Sequence, residues 1–185
     1  MCRDLVPVHA RTRVVLLQHP REARLAICSA WLTRISLSNA ELHCGFRFSA
    51  HPRLRELTRS AGTALLYPGP GATLAGDAAR HPPEHLLVID ATWKQSEKML
   101  EANPELAALP RLSVLADGGS GYEGLRREPA PHCLSTIEAV ALALGALEGD
   151  AARFAPMRVA FREAVARQLA CARGERRNPR HRRSA

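Results

Sequence analysis

The chain has 185 residues and 46% hydrophobic content, enough for one ordinary domain with a sizeable core, and only 4% of its residues are aromatic. Its formal charge of +8 favours polyanionic partners such as nucleic acid, but the charge is uneven: the stretch from Arg173 onward carries +5 and the 172 residues before it carry +3. Cys2, Cys28, Cys44, Cys133 and Cys171 are scattered with no C-x-x-C pair, which argues against a disulfide framework or a zinc ribbon. The longest apolar stretch, Ala139 to Leu147, is too short to span a bilayer. A soluble, unexported, cytoplasmic protein with reduced thiols and no membrane partner is expected.

In chain order, RVVLLQ (Arg13 to Gln18) is β-branched and apolar and stops at His19-Pro20, so it reads as a buried strand. From Glu22 to Ile35 the apolar positions recur at three- and four-residue steps, which predicts a helix. A weaker strand follows at Leu42 to Phe46, then a short helix from about Pro52. TALLY (Thr63 to Tyr67) reads as a strand closed by Pro68-Gly69-Pro70-Gly71, and the stretch onward to His85 as an irregular loop.

HLLVID (His85 to Asp90) is the clearest buried strand. The helix after it has Thr92 and Gln95 at capping-box spacing, with Asn103-Pro104 as its stop. RLSVLA (Arg111 to Ala116) is the last strand candidate, and it leads into a glycine-rich loop. Ser135 and Glu138 form a second capping box opening a helix through Leu147. A final helix from Pro156 carries Met157, Phe161, Val165 and Leu169 as one stripe. Alternating strands and helices predict a single α/β domain over residues 1–172, with a largely parallel sheet covered by helices on both faces. Residues 173–185 form a basic tail.

Ligands in such sheets bind beyond the carboxyl ends of the strands, which selects Tyr67-Pro68-Gly69, Asp90-Ala91-Thr92 and the loop from Asp117 to Ser135. Asp90 is expected at the positive N-terminus of the helix it precedes. The plain alternative is that Asp90 and Thr92 only satisfy helix amides while Trp93 fills the core. His19 with Glu22 could form an acid/base or RNA-contact pair, although a histidine at a strand end is more often structural. Ser135 and Thr136 could hold a ligand carboxylate or ribose, yet the capping box already accounts for Ser135. The Arg-rich tail could neutralise RNA phosphates or simply keep the chain soluble. No G-x-G-x-x-G, P-loop or G-x-S-x-G string is present.

Taken in order, LLQHPREAR, ALLYPG, LLVIDATWKQSEKML, LPRL, LRREP and LSTIEA resemble the DTW-domain family of tRNA-uridine aminocarboxypropyltransferases over about residues 12 to 148. The resemblance implies a SPOUT-like fold with a C-terminal trefoil knot, S-adenosylmethionine as donor and tRNA as partner. The implied reaction transfers the 3-amino-3-carboxypropyl group to uridine N3. It also implies Asp90 as the group that orients or deprotonates N3. An aspartate of ordinary acidity is a poor base for an imide, so the orienting role is favoured. Leu66, Tyr67, Pro68, Thr92, Trp93, Leu134, Ser135 and Thr136 are then expected around the donor, and His19, Arg21, Arg24, Lys94, Arg126 and Arg127 against RNA.

The chain departs from the family pattern in two ways. The cysteine-rich zinc segment of many members is reduced to Cys2, so no metal is expected. Ala91 stands where the hallmark usually has glycine, which is harmless at negative φ and strained at positive φ. A SPOUT-like RNA methyltransferase and a non-catalytic RNA-binding protein are the competing readings.

Overall fold

The computed structural model describes residues 6–25, 27–115 and 134–174. Six strands form one all-parallel sheet: β1 (Arg13–Gln18), β2 (Glu41–Cys44), β3 (Thr63–Leu66), β4 (Thr73–Leu74), β5 (His85–Asp90) and β6 (Arg111–Ser113). Their order is β2-β1-β5-β3-β6-β4. β5 lies between β1 and β3, and its register pairs Gln18 with Asp90 at the carboxyl edge. The central strands are apolar on both sides because helices cover both faces, as parallel sheets require.

One face carries α1 (Ser29–Ser36), α5 (Thr136–Glu148) and α6 (Ala151–Ala172) over Leu86 and Val88 of β5. The other carries α2 (Pro52–Leu57), α3 (Trp93–Glu101) and α4 (Pro104–Ala107), with Leu87 and Ile89 of β5 turned toward it. This alternation decides where the end of β5 points, because Asp90 follows Val88 by two residues and so faces α1 and α5. The chain leaves β1 toward α1 on one face and leaves β5 toward α3 on the other. The crevice where neighbouring strands part in this way is where such sheets bind ligands.

Several expected elements change. The helix expected from Glu22 is broken: Glu22–Arg24 make one 3-10 turn, Leu25 and Cys28 are extended, and α1 starts at Ser29 with the Cys28 sulfur accepting the Trp31 N–H at 3.3 Å. The apolar spacing was real but fell on two segments. The stretch expected to be an irregular loop up to His85 contains β4, which extends the sheet beside β6, and a 3-10 turn at Asp77–Arg80. β4 is only two exposed residues, too short to leave a pattern.

Asn103-Pro104 does end α3, but Pro104 also opens α4. Asn103 is fully buried, accepting from the Phe48 N–H at 2.6 Å and donating to the carbonyls of Phe46 and Met99. α6 begins five residues before Pro156, with Asp150 capping Arg153 N–H. Buried Phe154 extends the apolar stripe through Met157, Phe161 and Val165. The turn between α5 and α6 needs glycine twice. Gly149 closes α5 at φ 68°, and a Cβ on Gly145 would come within 3.0 Å of Ala151 Cα.

A charged cluster sits at the opposite end of the sheet from Asp90. Glu41 accepts from Arg53 at 3.1 Å and pairs with His43 at 3.1 Å. Burial alone would raise the Glu41 carboxyl, but the hydrogen bonds and charges of Arg53 and His43 outweigh it and hold it below its ordinary value. Glu41 and Arg53 thus tie the start of β2 to α2. None of the described helices is long and apolar enough to cross a membrane.

Candidate active site

Asp90 is 5% exposed at the carboxyl end of the central strand. Its Oδ1 accepts from Ser29 Oγ at 3.0 Å and from Thr136 Oγ1 at 2.5 Å, and its Oδ2 accepts from Gln18 Nε2 at 2.8 Å. Ser29 and Thr136 are the first residues of α1 and α5, so the carboxylate bridges two helix N-termini, where positive potential stabilises its charge. The sequence placed it instead at the start of α3. β-strand alternation turns it to the other face, and the α3 terminus is closed by Thr92 and Gln95 in a reciprocal capping box.

A cavity of about 420 Å³ opens over the carboxyl ends of β3, β5 and β6; Ile89, Ala91 and Thr136 line it, and Asp90 lies behind Thr136 rather than in its wall. From the α3 side it is lined by Tyr67, Ala91, Trp93 and Ser96, and from the α5 side by Leu134, Thr136 and Ala139. The Tyr67 hydroxyl meets Ser96 Oγ at 3.1 Å, its ring lies edge-on to Trp93 at 6.0 Å, and the Arg111 guanidinium sits 5.5 Å from its centroid. Thr136 belongs to both parts of the site: its hydroxyl holds Asp90 while the residue lines the cavity. Mostly apolar walls with a few hydroxyls and two aromatic rings are the chemistry of a small-molecule pocket, and the volume is of ordinary size for one.

Of the residues expected around a donor, Leu66, Tyr67, Pro68, Trp93, Leu134 and Thr136 line this cavity. Thr92 and Ser135 are each next in the chain to a lining residue and cap α3 and α5. Ser135 Oγ also donates to Glu138 Oε2 at 2.6 Å. Trp93 does not fill the core as the plain reading had it; it is 42% exposed, and Trp31 is 53% exposed. Ala91 accommodates its methyl group without strain, since no described non-glycine residue has positive φ.

His19 follows β1. Its N–H donates to the Asp90 carbonyl at 2.9 Å and its Nδ1 accepts from the Arg21 N–H at 3.1 Å, while the ring stands edge-on to Phe46. Arg21, Arg24 and Lys94 are exposed around the same edge of the sheet. Arg126, Arg127 and the tail arginines beyond Arg173 lie outside the described residues. Among the described residues no three His, Cys, Asp or Glu side chains converge as metal ligands, and Cys28, Cys44 and Cys171 are free.

Sequence reasoning missed Gln18, Ser29, Ser96 and Ala139. A polar residue closing an otherwise apolar strand was the available signal for Gln18. Ser29 had none, because cysteine is not a usual helix cap and the start of α1 was hidden.

Comparison with known proteins gives a match to the DTW domain family over residues 1–169. The chain is 31% identical to tRNA-uridine aminocarboxypropyltransferase 2 of Drosophila melanogaster over 148 residues, covering 77% of this chain and 59% of that protein. It is 31% identical to the protein of the same name from Macaca fascicularis over 149 residues, covering 77% of this chain and 50% of the relative. It is also 31% identical to tRNA-uridine aminocarboxypropyltransferase A of Arabidopsis thaliana over 181 residues, covering 80% and 66%. The chain therefore spans half to two thirds of the length of these curated relatives. No solved structure gives a significant match.

Proposed function

The chain belongs to the DTW domain family, and on that premise we propose that it transfers the 3-amino-3-carboxypropyl group of S-adenosylmethionine to N3 of a uridine in tRNA. The observation that carries this reading is the double placement of Thr136, which joins a pocket of donor size to a carboxylate held at two helix N-termini. The donor supplies an activated carbon: N3 attacks the methylene next to the sulfonium, the carbon–sulfur bond breaks toward sulfur, methylthioadenosine leaves, and the N3 proton passes through its contact with Asp90 to bulk solvent.

Tyr67, Pro68, Leu66 and Leu134 would hold the adenosyl group, with Trp93 at the rim and Thr92 and Ser135 fixing the helix starts that frame it. Asp90 orients the nucleophile. Among the described residues two hydroxyls occupy Oδ1 and one amide proton occupies Oδ2, which leaves one acceptor position on Oδ2 for the uridine N3–H. That contact strengthens as negative charge develops at N3, so it favours the transition state over the ground state. Apolar walls around the reacting carbon exclude water and leave positioning as the main contribution of the protein. We also infer a SPOUT-like fold with a C-terminal trefoil knot. The all-parallel sheet and the cavity between β6 and α5 support it, and residues 116–133 between those elements lie outside the described residues.

Purified protein with S-adenosylmethionine and unmodified tRNA is expected to yield aminocarboxypropyluridine and methylthioadenosine, read by nucleoside mass spectrometry. S-adenosylhomocysteine with a methylated nucleoside would establish the methyltransferase instead. Tight tRNA binding without any product would establish a non-catalytic RNA-binding protein.

His19, Arg21, Arg24, Lys94, Arg126, Arg127 and the tail are assigned to RNA phosphates, a reading that the exposure of Arg21, Arg24 and Lys94 supports. Deleting residues 173–185 is expected to weaken tRNA binding and flatten the logarithmic salt dependence by roughly 0.7 to 0.9 per lost phosphate contact, with turnover at saturating tRNA unchanged. An unchanged slope would remove the tail from the interface.

A further inference from the structure

Gln18 is a neutral, buried side chain at the end of an apolar strand, and the chemistry proposed above counts its amide proton on Asp90 without giving it a role. Its Nε2 lies 2.8 Å from Asp90 Oδ2 and 2.9 Å from Cys28 Sγ. Both neighbours accept, so the amide orientation is fixed: the carbonyl oxygen in that place would face a carboxylate. The register of β1 against β5 sets Gln18 directly beside Asp90, and the cap that opens α1 sets Cys28 on its other side.

We propose that Gln18 is a positioning residue for the transfer reaction: its carboxamide, braced by the Cys28 sulfur, holds the Asp90 carboxylate in the rotamer that presents Oδ2 to the nucleophile. The inference rests on the functional reading above, because Asp90 is the group that touches uridine and Gln18 acts only through it. The geometry separates Gln18 from the other two donors. Ser29 and Thr136 both hold Oδ1 and belong to helix starts, whereas among the described residues Gln18 alone holds Oδ2, and it comes from the neighbouring strand. Two hydroxyls on one oxygen leave the carboxylate able to swing about that oxygen. A donor on the second oxygen stops the swing, and a misplacement of about 1 Å at a reacting group can cost about 100-fold in rate.

Two variants and one spectrum test this. Gln18→Met keeps the length and removes the donor; kcat is expected to fall at least about tenfold at every pH, with the KM for tRNA within about threefold. Gln18→Glu sets a second carboxyl against Asp90. Its activity relative to wild type is expected to recover as pH falls, because a protonated carboxyl can donate to Oδ2 and an ionised one repels it. A merely structural role would move thermal stability together with activity across the same pH range, whereas a positioning role lowers kcat in protein that stays folded. Wild-type kcat in Gln18→Met, a loss carried by KM, or a Gln18→Glu ratio flat with pH would each overturn the proposal.

The side-chain amide resonances of Gln18 in wild-type protein give a readout independent of turnover. Both protons should be protected from solvent exchange and should shift in Asp90→Asn. A freely exchanging, unshifted amide overturns the proposal whatever the activity. A protected, shifted amide in a protein that makes no aminocarboxypropyluridine overturns the functional reading and leaves the Gln18–Asp90 contact standing.

Discussion

Asp90→Asn is expected to lower kcat by about 100-fold or more while leaving tRNA affinity within about threefold and the fold intact. The carboxylate receives three side-chain donors in a buried setting. An asparagine there keeps the shape but turns an amide group toward one of them. The Ser29 and Thr136 hydroxyls can rotate from donor to acceptor, and the Gln18 carboxamide can flip, so the network has a low-cost repair. What cannot be repaired is the charge: an amide oxygen is a weaker acceptor for an N3–H that is losing its proton. Asp90→Ala would differ in kind. It removes every acceptor and leaves buried donors at about 1–3 kcal/mol each, so its loss of activity would be mixed with loss of stability. Single-turnover kinetics on the Asn variant, beside thermal unfolding of both, separate the two effects. Full turnover in Asp90→Asn would remove Asp90 from the chemistry and leave it as the clamp joining β1, β5, α1 and α5.

The elements that place this site differ in how plainly they were written in the sequence. RVVLLQ and HLLVID are unbroken apolar runs because both faces of the sheet are covered, and they gave β1 and β5 at their full lengths. The two capping boxes, Thr92 with Gln95 and Ser135 with Glu138, depend only on residues three apart and formed as expected. The cavity side of the site was therefore legible through local rules and ordered motifs. The Asp90 side was not, since its partners come from β1, α1 and α5, separated from it by 72, 61 and 46 residues. Which helix terminus Asp90 meets is decided by strand alternation and by which helices cover which face. No short window contains that information. The break between Glu22–Arg24 and α1 was hidden for a related reason: the chain stays extended at Cys28, which lets Ser29 open a helix against Asp90, a tertiary demand that overrides an apolar spacing suited to one continuous helix.

Ala139→Trp is expected to raise the dissociation constant for S-adenosylmethionine by at least about tenfold, which corresponds to about 1.4 kcal/mol of lost binding. Ala139 lies on the first turns of α5, one helical step from Thr136, and lines the cavity from the α5 side. An indole in place of its methyl group would project over the ends of β3 and β5 and occupy space that an adenosyl group needs. The backbone should hold, because Ala139 is only half-buried, at the edge of the core where it lines the cavity, and the reciprocal bonds of Ser135 and Glu138 fix the helix start independently of its side chain. tRNA affinity should stay within about threefold, since the exposed cations around His19 and Lys94 are untouched. Calorimetric titration of the donor, with tRNA binding measured in parallel, reads both arms. Undiminished donor affinity in a folded variant would place S-adenosylmethionine outside this cavity. A parallel loss of tRNA binding would mean instead that the cavity receives the uridine.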